Sequence, residues 1–484
     1  MPLKSPFQLD LPLTDVLLFV FPPNQTPSDQ PVWIDAEKTD NCLSPAQLLQ
    51  WVRRLGAGLD KLDIKQNEVV MMYSTNHVFV PVVYLGTAGS GRIFSGYSVA
   101  ATLLMGSMVS IAMQIENTGA KLILVEPPYL PTVLEAAKKS NFPRDRVFLF
   151  SDSSCSPTDG VKDWSSFLPR TRTAVLNYSS GTTGLPKGVM ISHQNIIANV
   201  CQSLYMRPLN SIKPAPSPSF LPSKSPSSER WLGFLPLYHA YGQLWSITAA
   251  AITMTPCFYM RSFSLVPFLS NIQLHKITHI QTAPPVLVML AKRPETADFD
   301  LSSLQNILCG AAPLGKELQN EVSGRFKLKV VQTWGMTEVT CSSLHVPGLL
   351  DDRSGSVGHI DPNCEMKLIT DDGHEAKTGE RGEIHVKGPN VCLGYWRNEK
   401  ATKETFDEQG FLRTGDVAIA DNKGWLWIVD RKKELIKVHG FQVAPAELEA
   451  VLLENEDIAD AAVTEGLYPA RDRKDMYSSP RAKL

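Results

Sequence analysis

The run from Tyr178 to His193, YSSGTTGLPKGVMISH, concentrates small and hydroxyl-bearing residues around a single lysine. Glycine lets a backbone approach a ligand closely, and successive backbone N–H groups in such a turn form a concave anion site. The hydroxyls add donors and the lysine adds a positive charge. The run therefore predicts a loop that holds a polyphosphate, through Ser179, Ser180, Gly181, Thr182, Thr183, Gly184 and Lys187.

The flanks of this loop distinguish it from the Walker phosphate loop. That motif requires G-x-x-x-x-G-K-[ST] between a strand and a helix, whereas Lys187 is followed by Gly188. The stretches 174–178 and 189–191 predict two strands, and Ser192 is a typical helix N-cap. We interpret the run as a hairpin with a flexible tip; a plain Ser/Gly/Thr surface turn is the alternative.

Length and composition limit the protein class and the number of domains that are possible. The chain has 484 residues, 43% of them hydrophobic and 20% charged, which predicts a soluble globular protein of two or more domains. A net charge of −2 gives no support for nucleic-acid binding. The eight cysteines contain no C-x-x-C pair, which argues against a zinc site and favours a reducing compartment. We expect no signal peptide.

Apolar runs that alternate with helical patterns predict a parallel α/β sheet. The strand candidates are 69–73, 121–125 and 147–150, and Ser44 followed by Pro45 predicts a helix start. The Ser/Pro/Lys-rich stretch 208–230 predicts a disordered surface insertion.

One uncharged stretch, from Ile93 to Ile115, is long enough to cross a bilayer. Its glycines and serines dilute the apolar character. A buried helix is therefore the favoured interpretation, and a transmembrane helix is the alternative.

Six stretches in one order resemble the adenylate-forming (AMP-binding) superfamily. They are the loop itself, PLYHAYG at 236–242, LCGAAPL at 308–314, QTWGMTE at 332–338, and RTGD at 413–416 followed by DRKKELIK at 430–437. The likeness is strongest to 4-coumarate-CoA ligase-like acyl-CoA ligases, including fungal peroxisomal ones. It implies a large N-terminal domain, residues 1–429, with two α/β sheet subdomains and a small β-barrel subdomain. A truncated α+β C-terminal domain, residues 430–484, would follow a hinge at Asp430.

The resemblance also implies the site. Thr337 would hold the ATP α-phosphate, Glu338 would bind Mg²⁺, and Asp416 would accept hydrogen bonds from the ribose. Trp334 stands where the family usually has Tyr, and would stack on adenine. Further nucleotide- or CoA-binding positions are Gln332, Arg431, Lys433, His439 and Gly440. The substrate-binding positions are His239, Tyr241, Gly310, Ala311 and Lys437, and the catalytic ones are Lys187, His239, Thr337 and Glu338.

The implied activity is ATP-dependent ligation of a small carboxylic acid to CoA through an acyl-AMP, with Mg²⁺, in secondary-metabolite (toxin) biosynthesis. Two alternatives stay open. One is an adenylation enzyme that loads a carrier protein instead of CoA. The other is a paralogue that binds nucleotide or acyl-AMP and turns over weakly. The identity of the acid is open.

The last residues, Ala482-Lys483-Leu484, resemble the S-K-L peroxisomal address, which would make the peroxisomal import receptor a partner. A fluorescent fusion should collect in peroxisomes and become diffuse when these three residues are removed. A signal that is diffuse in both cases would dismiss this expectation.

The sequence also predicts slow adenylation. Relatives carry a C-terminal lysine that bridges the substrate carboxylate and the α-phosphate, and no P-x-x-x-x-G-K stretch follows Gly440 here. Loss of one such transition-state donor costs about two to three orders of magnitude in rate. ATP–pyrophosphate exchange measured beside a full-length relative should show that deficit, and equal rates would contradict the prediction.

Overall fold

A computed structural model describes residues 2–98, 108–150, 172–179, 186–211, 227–431, 436–438 and 441–443, with two single positions at 452 and 463. Within these ranges the α-helices are Val16–Val20, Pro45–Lys61, Val80–Gly89, Met108–Thr118, Leu130–Lys139, His193–Met206, Ala240–Gly242, Ala250–Thr253, Leu265–His275, Pro284–Lys292, Lys316–Phe326 and Glu399–Thr405. A π-helical turn covers Gln243–Ala249.

The first sheet has six strands and ends in the hairpin predicted around the phosphate loop. Its order is Val147–Leu149, Leu122–Val125, Val69–Ser74, Ile93–Ser98, Thr173–Ser179 and Lys187–Ser192. The last two strands are antiparallel and place Ser179 opposite Lys187. The sequence-predicted strands and hairpin are therefore confirmed.

Both predicted helix starts are confirmed by capping boxes, in which side chain and backbone bond reciprocally. Ser44 caps Pro45–Lys61 with Gln47, and Ser192 caps His193–Met206 with Asn195. The second helix therefore leaves the hairpin in a fixed direction.

The favoured interpretation of 93–115 as one buried helix is wrong. Residues Ile93–Ser98 form a strand and Met108–Thr118 a helix. The strand lies between two neighbours of a parallel sheet and carries no charged residue, so its sequence does not distinguish it from part of a buried helix. Within the described residues, no helix combines the length and apolarity that a membrane crossing requires. Of the predicted insertion 208–230, residues 212–226 lie outside the described residues.

The second sheet has nine strands and positions several of the other predicted site residues. Its order is His359–Ile360, Leu344–His345, Lys329–Trp334, Asn306–Cys309, His279–Thr282, Trp231–Gly233, Cys257–Tyr259, Trp33–Asp35 and Cys42–Leu43. The central six are parallel. Gly310 and the 335–338 turn therefore follow two neighbouring strands at one edge, where open α/β sheets bind ligands.

The third sheet has five antiparallel strands, in the order Leu3–Lys4, Glu365–Ile369, Gly382–Lys387, Leu412–Ala420 and Leu426–Arg431. It is the small β subdomain that the resemblance implied, and the α/β class of the large domain is confirmed. After Arg431 the structure describes a hairpin of Ile436–Val438 and Phe441–Val443. The domain boundary at 429/430 stays a prediction.

His193 makes the stability of this arrangement depend on pH. Its buried ring accepts a hydrogen bond from the Val16 backbone N–H through Nδ1, at 3.2 Å. Burial, aided by the charge of Arg172, lowers the pKa of His193 from 6.5 to about 4. The unfolded chain therefore binds this proton first as the pH falls. The neutral ring makes its full contribution to the free energy of unfolding above pH 6.5. This contribution falls by up to about 3 kcal/mol as the pH falls through about 4.

We expect the melting temperature of His193→Gln to fall less steeply between pH 6.5 and 4 than that of the unaltered chain. The matched control is His374→Gln, because the His374 side chain is 80% exposed. Calorimetry at several pH values measures the difference, and parallel curves for the unaltered chain and His193→Gln would refute this linkage.

Candidate functional site

Glu338 joins the phosphate hairpin to the second sheet. Its carboxylate is buried, and Oε1 accepts hydrogen bonds from the hydroxyls of Ser179 and Tyr395, both at 2.9 Å. A buried carboxylate is stable only when such donors satisfy it. The strand end that carries the phosphate loop is therefore held at the 335–338 turn, as the resemblance implied.

Lys187 lies on the other strand of the hairpin, against the same tyrosine. Its Nζ lies 5.0 Å from the centroid of the Tyr395 ring, within range of a cation–π contact. Backbone hydrogen bonds between Gly188 and Trp396, and between Met190 and residues 393 and 394, fix this segment beside the hairpin. Burial, with the charge of Glu338, raises the pKa of Tyr395, so its hydroxyl stays protonated and donates.

Asp416 faces the same region from the third sheet. Its Oδ2 accepts the indole N–H of Trp334 at 2.8 Å, and Arg431 Nε lies 3.3 Å from Oδ1. Two contacts therefore hold the carboxylate in place, and its binding of a ribose diol stays a prediction. The Trp334 ring is 6% exposed and packs in the core of the third sheet, and its stacking on adenine stays a prediction.

A small cavity of about 40 Å³ lies at the start of the 335–338 turn and is lined by every predicted substrate residue except Lys437. It is lined by His239, Ala240, Tyr241, Trp245, Gly310, Ala311, Thr333, Gly335, Met336, Cys341 and Ser342. A Cβ added at Gly310 would lie 2.9 Å from Thr333 Cγ2, so the glycine preserves the opening. Ala311 has a φ of 74°, a left-handed conformation that is strained for alanine and clusters at functional sites.

His239 lies at the mouth of this cavity. The side chain is open to the cleft, yet protein surrounds it on its other sides, and this burial lowers its pKa. Nδ1 accepts the backbone N–H of Tyr241 at 3.3 Å, so the neutral ring carries its proton on Nε2. The Tyr241 hydroxyl donates to the Leu308 carbonyl at 2.9 Å and closes the wall. His239 therefore presents a neutral N–H donor to a ligand.

Several predicted residues lie elsewhere or cannot be placed. The Gln332 amide nitrogen donates to the Leu314 carbonyl and to Gln319 Oε1, so both of its protons are engaged in the fold. Lys437 lies on a described strand, and its role stays a prediction. The positions outside the described residues are Ser180, Gly181, Thr182, Thr183, Gly184, Lys433, His439 and Gly440.

Two features of the site were missed in the sequence. One is Tyr395, which follows GPNVCLG and belongs to none of the motifs that the sequence offered. The other is a reciprocal pair of hydrogen bonds between the buried amides of Asn177 and Gln243, at 2.8 and 3.0 Å. This pair ties the strand before the loop to the turn after His239. The sequence indicated this pair only through Asn177, an amide side chain within an otherwise apolar strand.

Comparison with known proteins is consistent with this geometry. Residues 22–396 match the family model described as AMP-binding enzyme. An acyl-CoA synthetase of Alternaria alternata is 35% identical over 458 residues, which cover 89% of this chain and 75% of that protein. A probable 4-coumarate–CoA ligase of Dictyostelium discoideum is 36% identical over 468 residues, covering 89% of this chain and 78% of that protein.

Solved structures share the fold. The crystal structure of an anthranilate CoA ligase in complex with anthranoyl-AMP superposes with a TM-score of 0.80. Identity is 22%, and the match covers 94% of this chain and 84% of that one.

Filling the small cavity should select against bulky ligands. In Gly310→Val the new side chain meets Thr333 and Tyr241, and overpacking of this kind costs about 1–3 kcal/mol. Carboxylic acids with a ring or branch that bind the unaltered chain should lose about tenfold in affinity by calorimetry. Gly324→Val is the control, because nothing lies within 4 Å of its added Cβ. Unchanged affinities in Gly310→Val would place the ligand elsewhere.

Proposed function

Because the chain belongs to the family of AMP-binding enzymes, we propose that it is an ATP-dependent acyl-CoA ligase. The observation that carries the proposal is the convergence on Glu338. Ser179 and Tyr395 bond to it, Lys187 lies against the Tyr395 ring, and Gly335 and Met336 of the same turn line the small cavity. This convergence supports a site that binds phosphate, ribose and an organic acid next to one edge of the second sheet.

The proposed reaction has two steps. In the first, a carboxylate oxygen attacks the α-phosphorus of ATP, and pyrophosphate leaves. In the second, the CoA thiolate attacks the acyl carbonyl, and AMP leaves. Transfer of the adenylyl group depends on positioning and charge stabilisation more than on covalent catalysis. Lys187 supplies the positive charge, and Thr337 lies next to Glu338 to hold an α-phosphate oxygen.

The nucleotide sugar would lie against Asp416. The contacts of Asp416 with Trp334 and Arg431 fix the carboxylate in place, so it accepts hydrogen bonds without rearrangement. Preorganised groups of this kind contribute most of the electrostatic stabilisation in enzymes.

Glu338 fits a magnesium ion. Both hydrogen bonds from described residues end on Oε1, so Oε2 is available as a hard oxygen ligand. Mg²⁺ is commonly held by one or two carboxylates together with substrate phosphates. When bound, it would neutralise phosphate charge in the transition state.

The acid would enter the small cavity beneath His239. The neutral N–H of His239 is suited to hydrogen-bond a carboxyl oxygen, and Gly310 and Ala311 leave room for the first atoms of the acyl group. We further propose that the acid arises in secondary metabolism, as for the fungal ligases that the sequence resembles.

Thioester formation tests the proposal. The protein, incubated with ATP, Mg²⁺, CoA and a panel of carboxylic acids, should yield acyl-CoA detectable by mass spectrometry. Lys187→Met should lower ATP–pyrophosphate exchange by about two to three orders of magnitude, because one phosphate-stabilising charge is lost. Lys423→Met, at an exposed turn, is the matched control. Adenylate formation without any thioester would favour transfer to a carrier protein, and tight ATP binding without adenylate would favour a non-catalytic binder.

A further inference from the structure

A pair of buried amides links the first sheet to the segment that carries His239. Asn177 and Gln243 are 3% and 4% exposed. Asn177 Nδ2 donates to Gln243 Oε1 at 2.8 Å, and Gln243 Nε2 donates to Asn177 Oδ1 at 3.0 Å. Asn177 belongs to a strand of the first sheet, whereas Gln243 lies in the segment that follows the strand Trp231–Gly233 of the second. The pair therefore joins two parts of the chain that belong to different sheets.

The first-sheet end of this link lies two residues from the phosphate loop. Asn177 and Ser179 are alternate residues of one strand, so their side chains lie on the same face, roughly 7 Å apart. Ser179 donates to Glu338, and Asn177 bonds to Gln243. The strand end that leads into the predicted phosphate loop is thus held at two successive positions of this face.

The other end of the link is attached to the turn that carries His239. The Gln243 backbone N–H donates to the His239 carbonyl at 3.0 Å, and Gln243 Nε2 donates to the Tyr238 carbonyl at 3.1 Å. A carbonyl only accepts, so Tyr238 determines which end of the Gln243 amide faces Asn177. Gln243 also begins the π-helical turn, a rare conformation that is frequent at functional sites. Movement of Gln243 would therefore move the His239 turn.

Stability alone does not require amides at these two positions. Val189, which pairs with Asn177 across the hairpin, and Leu244 both belong to one hydrophobic core. An apolar pair of the same shape would be about as stable, because the cost of burying an amide offsets most of what its hydrogen bonds contribute. Hydrogen bonds add direction, and a satisfied buried network specifies a single arrangement.

The proposed reaction requires such a single arrangement. The phosphate loop belongs to the first sheet and His239 follows a strand of the second, yet the carboxylate oxygen must approach the α-phosphorus to about 3–3.5 Å. Misplacement of reacting groups by about 1 Å costs about 100-fold in rate. Each ligand still binds as long as its own part of the site is intact, so misplacement acts on the rate and not on affinity.

We propose that Asn177 and Gln243 are positioning residues for adenylate formation, whose amide pair holds the His239 turn and the phosphate loop in the relative placement that attack on the α-phosphorus requires. Neither residue lines the small cavity or belongs to the phosphate loop, so they act through His239 and Ser179. The inference rests on the proposed ligase function and adds the residues that align the two parts of its site.

The double variant Asn177→Leu/Gln243→Met of the full chain tests this role, because it replaces both amides by apolar side chains of similar shape. Pyrophosphate release is measured with ATP, Mg²⁺, CoA and butyric, benzoic or lauric acid, and calorimetry counts the ATP-binding sites. We expect kcat per site to fall about 10- to 100-fold, while KM for ATP and for the acid stays within about twofold. The melting temperature should stay close to that of the unaltered chain, since no buried amide is left unpaired.

Two further variants separate positioning from a purely structural role. Gln243→Met alone leaves the Asn177 amide without its partner, so it should lower both the melting temperature and kcat. Gln202→Met is the matched control, because it removes a fully buried amide that donates to the Pro362 carbonyl at 2.6 Å and does not line the small cavity. It should lower the melting temperature and leave kcat per ATP-binding site unchanged.

A double variant whose kcat per site equals that of the unaltered chain would overturn this inference and leave the ligase function intact. A loss that lies wholly in the two KM values would do the same. If the double variant does not fold, kcat per site of Gln243→Met decides between these outcomes. Absence of adenylate from the unaltered chain with every acid would instead overturn the proposed function, and this inference with it.

Discussion

The burial of one carboxylate, Glu338, is the constraint on which the arrangement of the site depends. A carboxylate removed from water must receive hydrogen bonds, and here Ser179 and Tyr395 supply them from two separate parts of the chain. The backbone carbonyl of Glu338 accepts a further bond from Cys392 N–H at 2.8 Å. These three hydrogen bonds of Glu338 form together in only one arrangement. That arrangement fixes the phosphate hairpin, the turn after the second sheet and the segment before Tyr395 relative to one another.

The second sheet determines at which edge of the fold the site lies. Its parallel central strands place their carboxyl ends, with Gly310 and Gly335, at the edge where Glu338 lies. A Cβ at Gly335 would lie 1.7 Å from the Cys341 carbonyl oxygen, so the sharp turn there excludes any side chain.

Neutral histidines recur because burial disfavours their charged form. His193 accepts the Val16 backbone N–H, and the neutral ring of His239 presents a donor to the small cavity. His345 instead lies with its Nδ1 2.7 Å from the buried carboxylate of Asp361, so a charged partner within the fold holds its ring.

The hairpin, its helix cap and the α/β class follow from the sequence alone, because glycine spacing, capping residues and apolar runs act over short distances. It also assigned Glu338, Asp416, His239 and Gly310 to one site through their motifs. It could not assign Tyr395, whose partner Glu338 is distant in the chain. It misread 93–115, because a strand inside a parallel sheet carries no charged residue, just as a buried helix carries none. Which buried polar groups pair with one another is a property of the tertiary structure, because pairs such as Asn177 with Gln243 join residues that no short-range pattern relates.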